Sequence, residues 1–189
     1  MPDLSHLPDD LPAPHDDGAA DHLAGMTMPS ISLPASDGTR VDLAALTGLC
    51  VVYLYPMTGR DDRPLPDGWD GIPGARGCTP QACAFRDHAR DLADLGVRHL
   101  YGVSTQSTAE QSEAALRLHL PFALLSDAEL ALADAARLPT FTIGQAIYLK
   151  RVTLIIRDRK IVRAFYPVFP PDRAADQVLD WLGAGLPSP

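Results

Sequence analysis

The segment that most constrains this chain is Leu49 to Tyr55, which reads LCVVYLY. It is almost wholly apolar and partly β-branched. A strand with one wet face alternates apolar and polar residues, whereas a strand covered on both faces does not. The run therefore predicts a central parallel strand with a layer of structure on each side.

The flanking sequence supplies those layers. Ile31 and Leu33, a Ser36-Asp37-Gly38 turn signal, then Val41 and Leu43 read as a hairpin. Residues 56–77 hold repeated prolines and glycines and predict a loop, and long loops inside a compact domain are uncommon and often functional. A helix is expected from Cys78, with Pro80 in its first turn, Ala82, Phe85, Ala89 and Leu92 at helical spacing, and Gly96 as its stop. Val97 to Val103 predicts a second buried strand. Ser107 and Glu110 have capping-box spacing at the start of another helix. Phe122 to Leu125 is a short apolar run, Glu129 to Leu138 a helix, and Thr140 to Leu149 a strand-like stretch. Val152–Ile156, Asp158-Arg159 and Ile161–Phe165 form a second hairpin, and Asp172 is placed to cap a last helix. A βαβ order requires a parallel pair and a hairpin an antiparallel one. The expected fold class is thus α/β, with a mixed central sheet flanked by helices and an N-terminal β-hairpin.

Length and charge narrow the function. The 189 residues suit one well-packed domain. A net charge of -8 argues against nucleic acid or an anionic membrane as the main partner. No apolar run is long enough to predict a membrane span. Residues 1–27 read as an acidic, Pro- and Asp-rich arm and 28–189 as the folded domain. The first 24 residues contain no lysine or arginine and no continuous apolar centre, so a secretion signal is not expected and the cytoplasm is the default.

Three cysteines, at 50, 78 and 83, do not describe a disulfide framework. Cys50 lies in the apolar strand and reads as packing. Cys78 opens a helix after the long loop, in Gly77-Cys78-Thr79-Pro80-Gln81-Ala82-Cys83. Free backbone N–H groups and the helix dipole favour negative charge there, and hence a thiolate. Such a thiolate can attack a peroxide O–O bond and become a sulfenic acid. Cys83 fits a resolving thiol, but also a buried small residue. Five residues of α-helix rise about 7.5 Å, beyond the roughly 7 Å Cα limit for a disulfide, so closing that bond requires the helix to unwind. A metal site would need further ligands at suitable spacing, and none is evident.

The stretch from Gly77 to Asp87 (GCTPQACAFRD) resembles the active-site segment of atypical two-cysteine peroxiredoxins, most closely the bacterioferritin-comigratory branch. The resemblance continues in order through Val51–Pro56, Leu100–Thr105 (LYGVST), Pro121–Asp127 (PFALLSD) and Arg151–Ile156. It implies a thioredoxin-like fold and a peroxidase that reduces hydrogen peroxide and organic hydroperoxides. Carried over by position, Cys78 is the peroxidatic and Cys83 the resolving cysteine, joined in an intramolecular disulfide. Arg151 is the guanidinium that holds the thiolate and polarises the peroxide, and Pro56 is a shield. The implied reductant is thioredoxin or a similar dithiol protein, acting on a monomer or homodimer, with no metal, haem or flavin.

The pattern also departs from the family. Where the family has a proline and a threonine ahead of the reactive cysteine, this chain has Gly71 and Ala75. Extra residues separate Pro56 from Cys78. Thr58 is the candidate for the missing hydroxyl if the loop folds back, since a hydroxyl both donates and accepts. Competing readings are a thiol–disulfide exchange enzyme, which usually carries Cys-x-x-Cys, a peroxide-sensing redox protein, and an inert domain on the same scaffold.

Overall fold

The computed structural model describes residues 7, 8, 10–60 and 62–185. Residues 1–6 and 9 of the expected arm lie outside them. In chain order the elements are β1 (Ser32–Pro34), β2 (Arg40–Asp42), β3 (Leu49–Leu54), α1 (Cys78–Asp87), α2 (Ala89–Asp94), β4 (Val97–Ser104), α3 (Thr108–Arg117) and β5 (Leu124–Ser126). Then follow α4 (Ala131–Ala136), β6 (Thr140–Ile143), β7 (Ala146–Leu149), β8 (Val152–Arg157), β9 (Lys160–Phe165) and α5 (Ala174–Gly183).

Five strands form the central sheet in the order β5-β4-β3-β8-β9. β3 pairs parallel with β4 and antiparallel with β8, so the sheet is mixed. Every residue of β3 is buried. Its side chains alternate between two cores, as strand geometry requires. Cys50, Val52 and Leu54 join Leu33, Leu132, Leu154 and Ile156 on one face. Val51, Tyr53 and Tyr55 join Phe85, Leu92, Ala114, Val178 and Leu182 on the other. This double coverage is what the unbroken apolar run encodes. No described helix is long and apolar enough to cross a membrane.

Several elements differ from expectation. The helix from Cys78 is two helices, broken at His88, whose backbone leaves helical angles (φ -98°, ψ 9°). The His88 ring bridges Asp91 at 3.0 Å and Asp176 of α5 at 3.3 Å, which ties the break to the last helix. Residues 140–149 are a hairpin rather than one strand, because Gly144 takes a positive φ of 59° and reverses the chain. Asp172 does not cap α5. It sits inside a 3-10 turn, Pro171–Arg173, started by Pro171, and makes no side-chain cap. The capping box at Ser107 and Glu110 is formed.

The acidic arm, expected to be solvated, lies along the domain in its second half. Leu23 is fully buried and Ala20 nearly so, both in the Leu33–Leu132 core. Met28 N–H donates to Arg159 O at 2.7 Å, and Ile161 N–H donates to Met26 O at 2.9 Å, so the chain runs beside the start of β9. Asp17 accepts from Lys150 Nζ at 2.6 Å and from the Tyr166 hydroxyl at 2.7 Å. Those two donors hold the Asp17 carboxyl well below the usual carboxylate range. The average composition of the arm is polar, but two apolar side chains and one paired carboxylate suffice to dock it.

Candidate active site

The site lies where β3 ends, α1 begins and β8 starts. β3 delivers Pro56, buried, directly after Tyr55. The antiparallel register pairs Leu54 with Val152, which sets Arg151 beside the end of β3. Cys78 is the first residue of α1 and is 4% exposed. Gly77 before it adopts a φ of 99°, where an L side chain is strained, and turns the chain into the helix. A Cβ at Gly77 would collide with Pro171 and would approach Leu7 Cδ2 to 2.7 Å.

Arg151 crosses to this helix start. Its Nη2 donates to Cys78 Sγ at 3.4 Å and to the backbone oxygens of Arg76 at 3.0 Å and Gly74 at 3.3 Å. Its Nη1 donates to Gln81 Oε1. The guanidinium is 3% exposed, and none of the acceptors around it is a carboxylate. A buried cation without a counter-ion is costly. The sulfur is the one group in this set that can carry the compensating charge.

Gln81 escaped the sequence reading. It is fully buried on the inward face of α1, one helical turn before Phe85, and grips Arg151 through its amide oxygen. Phe85 stacks on Tyr53 with centroids 4.6 Å apart, which anchors α1 to the sheet. The available signal for Gln81 was its i, i+4 spacing from Phe85, which shares a helix face.

Thr58 is placed differently from Cys78's other neighbours. It is 3% exposed, and its backbone N–H and hydroxyl both donate to Gln106 Oε1, at 2.8 and 3.1 Å. Gln106 Nε2 returns a bond to Thr58 O at 3.2 Å. The structure thus brings together Cys78, Arg151 and Gln81, while the hydroxyl of Thr58 is directed at the end of β4. Burial pushes the Tyr55 phenol up to about 12 despite the Ser104, Thr58 and Gln111 side chains around it, and the Tyr53 phenol is raised further by its own burial. Both stay neutral and place no charge beside the sulfur.

Cys83 is half-buried in the second turn of α1, in the same unbroken helix as Cys78. Cys50 is on the opposite face of the sheet, and burial pushes its thiol up to about 12.

The loop of residues 57–77 is folded. Trp69 is 3% exposed and packs on Tyr148 at 5.1 Å and Phe141 at 6.0 Å, in the β6–β7 hairpin. Asp70 accepts from Arg76 Nη1 at 3.1 Å. A single tryptophan thereby fastens a glycine- and proline-rich segment whose end, Gly74–Arg76, supplies the carbonyls that hold Arg151.

Comparison with known proteins agrees with this arrangement. A family model described as Redoxin matches residues 23–179. Peroxiredoxin Q from the chloroplast of Sedum lineare is 30% identical across 84% of this chain and 76% of its own length. Peroxidoxin BcpB from Mycobacterium tuberculosis superposes with a TM-score of 0.68 at 29% identity, covering 85% of this chain and 96% of that one. The bacterioferritin comigratory protein of Xanthomonas campestris, whose structures address alkyl peroxide reduction, gives a TM-score of 0.66 at 25% identity, covering 85% and 98%.

Proposed function

The chain belongs to the peroxiredoxin family, in the branch of bacterioferritin comigratory proteins and peroxiredoxin Q, and is a thiol-dependent peroxidase; from that premise we propose how its own residues run the reaction. Cys78 is the peroxidatic nucleophile. The observation that carries this reading is the buried Arg151 guanidinium, 3.4 Å from Cys78 Sγ and otherwise surrounded by neutral oxygens. Such a guanidinium favours the sulfur as thiolate and offers N–H donors to a peroxide oxygen.

The thiolate attacks one peroxide oxygen and the O–O bond breaks. The sulfur is oxidised to a sulfenic acid. The other oxygen leaves with the bond's electron pair and takes a proton, becoming water or an alcohol. Arg151 stabilises the charge that develops on that leaving oxygen. Pro56, buried at the end of β3, shields the sulfur from bulk water. We assign Thr58 the task of pinning the loop after Pro56 through Gln106. To donate directly to the peroxide it must first leave that bond.

Cys83 is the resolving thiol. It attacks the sulfenic sulfur, water leaves, and a Cys78–Cys83 disulfide forms. Because both residues sit in one helix, the first turns of α1 unwind for this step. The cycle then closes within one chain, so a monomer or homodimer suffices. A thioredoxin-like dithiol protein reduces the disulfide, which suits a reducing compartment such as the cytoplasm.

Mass spectrometry after one equivalent of peroxide tests the scheme. The intact chain is expected to lose two hydrogens as a Cys78–Cys83 crosslink. The Cys83→Ser chain is expected to hold a sulfenic acid at Cys78, and the Cys78→Ser chain to consume no peroxide. Full turnover in Cys78→Ser refutes the assignment.

A further inference from the structure

A cleft of about 290 Å³ opens beside the reacting pair. Three separate segments wall it: Pro14 from the N-terminal arm, Ile72 and Pro73 from the 57–77 loop, and Val168 after β9, with Phe141 of β6 closing one side. Arg151 also lines it, and the same guanidinium touches Cys78 Sγ. We propose that this cleft is a substrate subsite that seats the uncharged alkyl or aryl tail of an organic hydroperoxide. The inference rests on Cys78 and Arg151 acting as described above.

The walls favour that ligand class over others. The volume is near the lower edge of the roughly 300–1,000 Å³ that holds small ligands, which suits a compact hydrocarbon group rather than a cofactor. The lining is dominated by proline, isoleucine, valine and phenylalanine side chains. An anionic tail would need a cation to spare. Lys150 is bound to Asp17 at 2.6 Å and to the Tyr166 hydroxyl at 3.3 Å. The Arg151 donors are committed to Gln81, to backbone oxygens and to the sulfur. A tail in the cleft places its O–O group against the guanidinium, where the thiolate attacks the terminal oxygen and an alcohol leaves.

Two walls come from parts of the chain that no sequence motif assigned, the arm and the loop. Pro14 stands 3.5 Å from the position a Cβ on Gly74 would occupy, so arm and loop touch beside Arg151. The arm is held there by Asp17, through Lys150 and Tyr166, and by Leu23 in the core. Hydrogen peroxide has no tail and needs neither wall.

Steady-state kinetics with hydrogen peroxide and cumene hydroperoxide distinguish the possibilities, using the full chain and its Ile72→Ser and Pro14→Ser variants. The expected result is a fall of fivefold or more in kcat/KM for cumene hydroperoxide in each variant, carried mainly by KM. Hydrogen peroxide turnover is expected to stay within twofold. The alcohol product, 2-phenyl-2-propanol, is expected to compete with cumene hydroperoxide and to lose that competition in both variants. Unchanged kinetics with cumene hydroperoxide, or an equal fall with both peroxides, overturns the subsite. If the unaltered chain consumes neither peroxide, the assignment of Cys78 and Arg151 fails instead, and that outcome is read separately from the variants.

Discussion

Arg151 and Cys78, separated by 73 positions in sequence, meet at 3.4 Å through Nη2 and Sγ. β8 carries the arginine antiparallel to β3, and α1 starts at the cysteine, so the sheet itself sets the distance. The guanidinium serves sulfur and backbone oxygens at once. That fork geometry is peculiar to arginine, and lysine offers only a point charge. Arg151→Lys is therefore expected to slow peroxide reduction roughly 100-fold, in the range found for removing one transition-state donor. Stopped-flow oxidation of the reduced chain measures it. A loss below threefold would show that positive charge alone is sufficient.

Cys50 provides a control for the reactivity of Cys78. Its thiol is pushed up to about 12 by burial, against roughly 8.5 for a free cysteine. In the native chain it stays protonated and inert at neutral and mildly alkaline pH. Iodoacetamide at pH 8 is expected to label Cys78 and Cys83 and to spare Cys50 until denaturant is added, as peptide mapping will show. The stability consequence has a definite sign. Between about 8.5 and 12 the unfolded chain has released this proton and the native chain has not, so stability falls as pH rises. Cys50→Ala is expected to flatten that alkaline slope in urea titrations.

Gly77 has a φ of 99°, and a Cβ there meets Pro171 and Leu7. Gly77→Ala is expected to displace the first turn of α1 and to cost about 1–3 kcal/mol, typical of a strained left-handed residue. Peroxide reduction is expected to fall about tenfold, because misplacing the sulfur weakens its contact with Arg151. Wild-type rates with lowered stability alone would mean that the sulfur position tolerates the shift.

Trp69→Ala removes the buried ring that fastens the 57–77 loop to Phe141 and Tyr148. Truncating a buried aromatic costs about 3 kcal/mol or more. The expected outcome is a lower urea midpoint together with faster amide exchange across residues 68–76. Slower peroxide reduction is expected as well, since Gly74 and Arg76 hold Arg151 in place.

The sheet was legible because its signals are local. LCVVYLY announces a doubly covered strand, Ser107 with Glu110 announces a helix start, and Asp158-Arg159 marks the turn that both residues make with positive φ. The start of α1 was legible from the loop ahead of Cys78 and the spacing behind it. The partners of Cys78 were not. Arg151 entered through family resemblance, since nothing in its own surroundings says which strand it flanks. Gln81 lay unread between the cysteines because its importance depends on a guanidinium arriving from β8. The arm was read as solvated from its average composition, whereas its docking depends on Ala20, Leu23 and Asp17. The break at His88 depends on Asp176 of α5, a partner that no window around the histidine contains.

The stacking of Phe85 on Tyr53 sets a boundary inside α1. Everything ahead of that ring is free to melt and re-form once per turnover, while everything behind it remains nailed to the sheet. Each catalytic cycle is then also a small folding reaction, and the lifetime of the oxidised sulfur is timed by how readily two helical turns let go. Substitutions that alter helix strength between Thr79 and Ala84, without touching any reacting atom, would retune the balance between quick recycling and lingering oxidation.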